Sequence, residues 1–81
     1  MRITVRLFAR LRELAGAGEL QRDVPDGATV AAIWDSLARE HAAIAPYTAS
    51  ISCAVNAEYA RMTTPVADGD EVAFLPPVSG G

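Results

Sequence analysis

One stretch of this chain has the periodicity of a long amphipathic helix, and it lies between segments that alternate with period two. Val30, Ile33, Leu37 and His41 fall at helical spacing, Trp34 and Ala38 widen the stripe, and Asp35, Arg39 and Glu40 take the solvated side. A lone apolar stripe needs an apolar surface to cover it. The flanking alternating segments, paired as a sheet, are the surface the chain has available.

Residues 3–8 place Ile3, Val5 and Leu7 on one face and Thr4, Arg6 and Phe8 on the other, which predicts a strand with one buried face. Leu7, Leu11 and Leu14 follow at helical spacing before Gly16 and Gly18, so residues 9–15 fit a short helix. Residues 19–24 read as a charged edge strand, with Glu19, Arg22 and Asp23 discouraging pairing with another chain. Pro25-Asp26-Gly27 is a turn, Thr29 is placed to cap the main helix, and Pro46 lies past the helix end. Alternation resumes over residues 50–55, with Ile51, Cys53 and Val55 on one face. Asn56-Ala57-Glu58 turns into a short strand over residues 59–62, and Asp68-Gly69-Asp70 turns into a last strand over residues 72–75. This order predicts an α+β chain of β-grasp (ubiquitin-like) type, with a mixed sheet of about five strands and one principal helix. The expected division is a domain over residues 1–75 and an extended, flexible C-terminal Gly-Gly tail over residues 76–81.

Composition narrows the function. A chain of 81 residues buries about 60–70% of its unfolded surface, which leaves little room for a deep enclosed active site, so function is expected at the surface or the ends. Ten acidic residues against seven basic ones give a net charge of −3 with no cationic run, which argues against nucleic acid as a partner. The longest stretch free of charge, residues 41–57, contains Pro46, Ser50, Ser52 and Asn56, so no membrane span is expected. Arg2, Arg6, Arg10 and Arg12 interrupt any signal-like apolar run, and a cytoplasmic location is expected.

Three internal constellations carry little chemistry. Gly16-Ala17-Gly18 lacks the third glycine and the following helix of a dinucleotide fingerprint. Cys53, the single cysteine, shares a strand face with Ile51 and Val55, so it reads as a buried thiol rather than a nucleophile served by His41, and the pair is too few for a zinc site. Asp68, Asp70 and Glu71 read as turn residues, short of a calcium ligand set, and no metal is expected. The tail, Pro76-Pro77-Val78-Ser79-Gly80-Gly81, is different, since its residue types serve no evident folding purpose. Two prolines favour an extended exit from the last strand, and six residues reach about 20 Å, far enough to enter a partner's channel. A terminal glycine pair is narrow enough to thread one.

The segment Phe8-Ala9-Arg10-Leu11-Arg12-Glu13-Leu14-Ala15-Gly16, the Ala54-Val55-Asn56 triplet and the block from Asp68-Gly69-Asp70-Glu71-Val72 to Pro76-Pro77-Val78-Ser79-Gly80-Gly81 resemble the small, sulfur-carrier subunits of molybdopterin synthases. The likeness covers nearly the whole chain. It implies a protein that is non-catalytic by itself and acts as one subunit of a sulfurtransferase. An activating enzyme uses ATP to adenylate Gly81, sulfur displaces AMP, and the resulting C-terminal thiocarboxylate enters the large synthase subunit and attacks a cyclic pyranopterin precursor, making the dithiolene. Gly80 supplies the flexibility of the tail, and no cofactor is bound stably.

The strand pattern adds a docking face. Phe8 and Leu75 point away from the core-facing residues of their strands, and parallel pairing of the first and last strands brings them together near the tail, with Tyr59 on a nearby edge. The resemblance implies that the large subunit binds this region, with Pro76, Pro77, Val78 and Ser79 continuing the contact. Competing readings are a thiamine-thiazole sulfur carrier, a ubiquitin-like protein modifier, and an adaptor without tail chemistry. The absence of lysine excludes lysine-linked chains of the protein on itself.

Overall fold

The computed structural model describes residues 1–77. The elements run β1 (Arg2–Leu7), α1 (Ala9–Ala15), β2 (Glu19–Asp23), α2 (Val30–Glu40), a 3-10 segment (Ala42–Tyr47), β3 (Ser52–Val55), β4 (Glu58–Ala60) and β5 (Glu71–Leu75). They form a five-stranded sheet in the order β2-β1-β5-β3-β4. β1 and β5 are parallel, and the other neighbours are antiparallel. This is the mixed β-grasp sheet that the sequence pattern predicts, with the charged strand β2 at one edge.

The helical stripe covers one face of the sheet. Val30, Ile33, Trp34 and Leu37 of α2 pack with Ile3, Val5, Leu7, Cys53, Val72 and Phe74 of the strands, and Leu11 and Ile44 close the ends. Trp34 and Phe74 meet at 5.0 Å between ring centroids, tilted by 56°, a favourable aromatic geometry at the centre of the core. The indole Nε1–H of Trp34 donates to Thr48 Oγ1 at 2.9 Å, so burying the ring strands no donor.

The start of α2 is satisfied from outside the helix. Thr29 Oγ1 accepts from the Ala32 amide, as its cap position predicts. The preceding amides, Val30 and Ala31, donate to the carbonyls of Thr64 and Met62 at 2.9 and 2.8 Å. That demand explains why β4 stops at Ala60 rather than continuing to residue 62: the chain beyond it serves the helix end, not the sheet. His41 ends the stripe as a half-buried C-cap, and its amide donates to Leu37 O.

Pro46 lies past the end of α2, as expected, within the 3-10 segment, and that segment buries Ile44 completely. One further expectation is corrected in the same region. Ile51 precedes β3, with its amide donating to Tyr47 O at 3.0 Å.

Candidate functional site

The site follows from register. Leu7 pairs with Phe74 across the parallel β1–β5 ladder, so the next residues, Phe8 and Leu75, fall side by side on the opposite, outer face. Pairing of Arg6 with Ala73, Ala73 with Ala54, and Ala54 with Tyr59 sets these four residues in one row across the same face. Phe8 is 40% exposed and Tyr59 85%, and they are the large apolar side chains left exposed among the described residues. Leu75 is half-buried.

Between these side chains the sheet surface sinks. Ala54 and Ala73 give it a floor of methyl groups, and Phe8, Tyr59, Leu75, Ala57 and Glu71 form the rim of a depression of about 290 Å³. An outer sheet face in water ordinarily carries polar side chains; an apolar hollow rimmed by aromatic groups is a surface suited to a partner. The charged neighbour is held aside. Arg6 Nη1 lies 3.6 Å from Glu71 and 3.9 Å from Glu19, and its guanidinium carbon is 5.9 Å from the centroid of the Phe8 ring.

Phe8 owes its position to the start of α1. It is the N-cap residue, extended at φ −120° and ψ 154°, with no side chain accepting a hydrogen bond there. Ser, Thr, Asp or Asn would satisfy the helix end better, so helix capping does not account for an aromatic group at this position. At the other end of α1, Gly16 adopts φ 76° and its amide donates to Arg12 O, the usual left-handed termination. Gly18 serves contact instead: a Cβ there would lie 3.0 Å from Arg12 Nε.

The remaining candidates have structural duties. Cys53 is buried, its Sγ donates to Ala60 O at 3.1 Å, and burial pushes the thiol above its ordinary pKa. Asp68 Oδ1 accepts from the Arg2 amide at 2.8 Å. Asp70 accepts from the Ala67 amide and from Asn56 Nδ2, and Glu71 faces Arg6. Each carboxylate therefore ties a turn or strand in place.

Phe8, Tyr59 and Leu75 are thus gathered on one surface, at the end of β5 where the chain enters Pro76 and Pro77. Pro76 is half-buried and Pro77 exposed. Val78, Ser79, Gly80 and Gly81 lie outside the described residues. Sequence reasoning missed Ala54, Ala57, Ala73, Glu71 and Arg6. Their residue types are unremarkable alone, and only the β5–β3 and β3–β4 registers place the two alanines of the floor beside Tyr59.

The ThiS family profile matches residues 5–81. The chain belongs to the ThiS family. Within it, the molybdopterin synthase sulfur carrier subunit of Escherichia coli is 41% identical over 98% of this chain and 99% of its own length. The fold matches that of SAMP1 of Haloferax volcanii, a small archaeal modifier protein, with a TM-score of 0.88 at 35% identity over the whole of both chains. It also matches a chain of the BexX/CysO complex of Amycolatopsis orientalis, with a TM-score of 0.68 at 28% identity over 98% of this chain and 99% of that one. Structures of this fold therefore include one in complex with a second protein.

Proposed function

We propose that this ThiS-family chain is the sulfur-carrier subunit of a molybdopterin synthase and that its reactive atom is carried at Gly81. The observation that supports this reading most is the apolar hollow formed by Phe8, Ala54, Tyr59, Ala73 and Leu75 at the root of a chain end that reads Pro76-Pro77-Val78-Ser79-Gly80-Gly81. A docking surface beside such an end holds the domain on a partner while the last residues reach the partner's catalytic groups. Acid-base chemistry then belongs to the partners, in keeping with an exposed surface that offers shape and apolar contact rather than a catalytic array.

The chemistry balances in three steps. A carboxylate oxygen of Gly81 attacks the α-phosphate of ATP on an activating enzyme, releasing pyrophosphate and forming an acyl-adenylate. Hydrosulfide displaces AMP and leaves the thiocarboxylate directly, or a donor persulfide displaces AMP to give an acyl disulfide that a second thiol reduces to the thiocarboxylate, leaving the donor in a disulfide. The charged terminus then enters the large synthase subunit, where its sulfur attacks the pyranopterin precursor, water cleaves the thioester so formed and returns Gly81 as a carboxylate, and two such deliveries supply the dithiolene. Gly81 has no side chain to hinder attack at its carbonyl. A cycle that consumes ATP is compatible with the cytoplasm, and no cofactor need stay on the carrier.

The test is intact mass analysis after incubation with ATP, a sulfur source and the activating enzyme, followed by dithiolene formation with the large subunit. An oxygen-to-sulfur mass change and product formation are expected, and a chain that is never loaded overturns the reading. The likeness to the archaeal modifier favours one second reading, in which Gly81 is joined to amines of other proteins. Conjugates that survive a denaturing gel, without dithiolene formation, would select it.

A further inference from the structure

The turn that joins β3 to β4 is two residues long, and its second residue is not the one its backbone asks for most. Val55 pairs with Glu58, so Asn56 and Ala57 make the whole connection, at φ 51° and 70°. Both lie in the left-handed region that two-residue hairpins require. Asparagine tolerates that conformation, but the Cβ of alanine crowds the backbone there, and glycine is the relaxed choice at the second position.

The strain cannot dissipate locally because the turn is held on one side. The Asn56 amide donates to Glu71 O at 2.8 Å, the Glu71 amide donates to Asn56 Oδ1 at 3.0 Å, and Asn56 Nδ2 donates to Asp70 at 2.9 Å. Three hydrogen bonds thus bind the hairpin tip to the start of β5. A strained residue kept in place by its surroundings points to a function for its side chain. The only group that distinguishes Ala57 from glycine is one methyl, and Ala57 lies on the rim of the apolar hollow, with Phe8, Tyr59 and Leu75.

We propose that Ala57 is a contact residue of the docking face: its methyl completes the rim that receives an apolar side chain of the large synthase subunit, and backbone strain is retained to keep it there. The inference rests on the docking reading above and names one further contact within it. It requires stability and affinity to move in opposite directions on substitution by glycine, which a residue that is merely tolerated would not show.

The experiment compares wild type, Ala57→Gly, Ala57→Asn and Leu75→Glu, using thermal unfolding and calorimetric titration with the large subunit encoded in the same genome. Ala57→Gly is expected to raise Tm by about 3–6 °C through relief of strain and to weaken binding about three- to fivefold through loss of one buried methyl. Ala57→Asn suits a left-handed conformation but extends the methyl into a polar carboxamide at the apolar rim, so it should leave Tm at or slightly above wild type and weaken binding at least as much. Wild-type affinity in the Asn variant would trace any loss in the Gly variant to flexibility and overturn the inference, as would a fall in Tm for Ala57→Gly. Leu75→Glu separates the two levels. If it binds as wild type, the docking reading itself fails; if it binds poorly while both Ala57 variants bind normally, only the role of Ala57 fails.

Discussion

Cys53 and Leu75 show how one strand alternation separates a structural side chain from one available to a partner. Cys53 faces the core with its Sγ bonded to Ala60 O, and burial holds the thiol protonated, so it is poorly suited to carry transferable sulfur. Cys53→Ala should therefore load sulfur as wild type does, with a stability loss of about 1 kcal/mol from the emptied volume. Loss of loading in a variant that still melts cooperatively would reassign the sulfur site. Leu75 faces outward, half-buried beside Phe8. Burying such a side chain at an interface is worth roughly 1.5–3 kcal/mol, so Leu75→Glu should weaken association with the large subunit tenfold or more while leaving Tm nearly unchanged. Titration calorimetry on the folded variant checks both halves. These two assignments were legible in the sequence because a period of two fixes the face of every residue once one is known. The alanine floor was not, because Ala54 and Ala73 gain meaning only from their pairing across β3 and β5.

Elements that recruit distant partners were the hardest to delimit. α2 carries its own signals, a Thr29 cap and a continuous stripe, and its observed span of Val30–Glu40 matches them. β4 is cut short by carbonyls needed at the start of α2, a demand from another part of the chain that no local pattern encodes. The Asp68–Asp70 turn depends on remote groups in the same way. The Ala67 amide and the Asn56 side chain hold the Asp70 carboxyl below the ordinary carboxylate range. A folded-state pKa below the unfolded one means that the stabilisation is fully present above about pH 4 and is lost as pH falls through the folded value. Asp70→Asn should cost about 1 kcal/mol at pH 7, a small figure because the group is solvated, and should reduce the difference in urea midpoint between pH 7 and pH 3. Identical acid sensitivity in the variant and wild type would show that Asp70 does not govern this limb.

At the scale of the whole molecule, folding and function draw on different parts of the chain. Every buried apolar side chain described lies between Ile3 and Phe74, and the elements that hold them end with β5 at Leu75. Deleting Gly80 and Gly81 removes none of these groups, so thermal unfolding should change by no more than the roughly 0.5 kcal/mol typical of neutral surface changes. Activity should respond differently. The deletion leaves Ser79 as the terminus, which still bears a carboxylate, but in an extended channel that group stops about 7 Å short of the position Gly81 would reach. Misplacement of a reacting group by about 1 Å already reduces rates about a hundredfold, so neither adenylation nor sulfur delivery should proceed at a useful rate. Docking should persist, because Phe8, Tyr59 and Leu75 are untouched, and the truncated chain should compete with wild type for the large subunit while donating no sulfur. Mass analysis of loading, dithiolene formation and competition binding together test this. A truncated protein that loads and donates sulfur as wild type does would remove the reactive centre from Gly81; one that donates no sulfur but also fails to compete would place the last two residues in the docking contact itself.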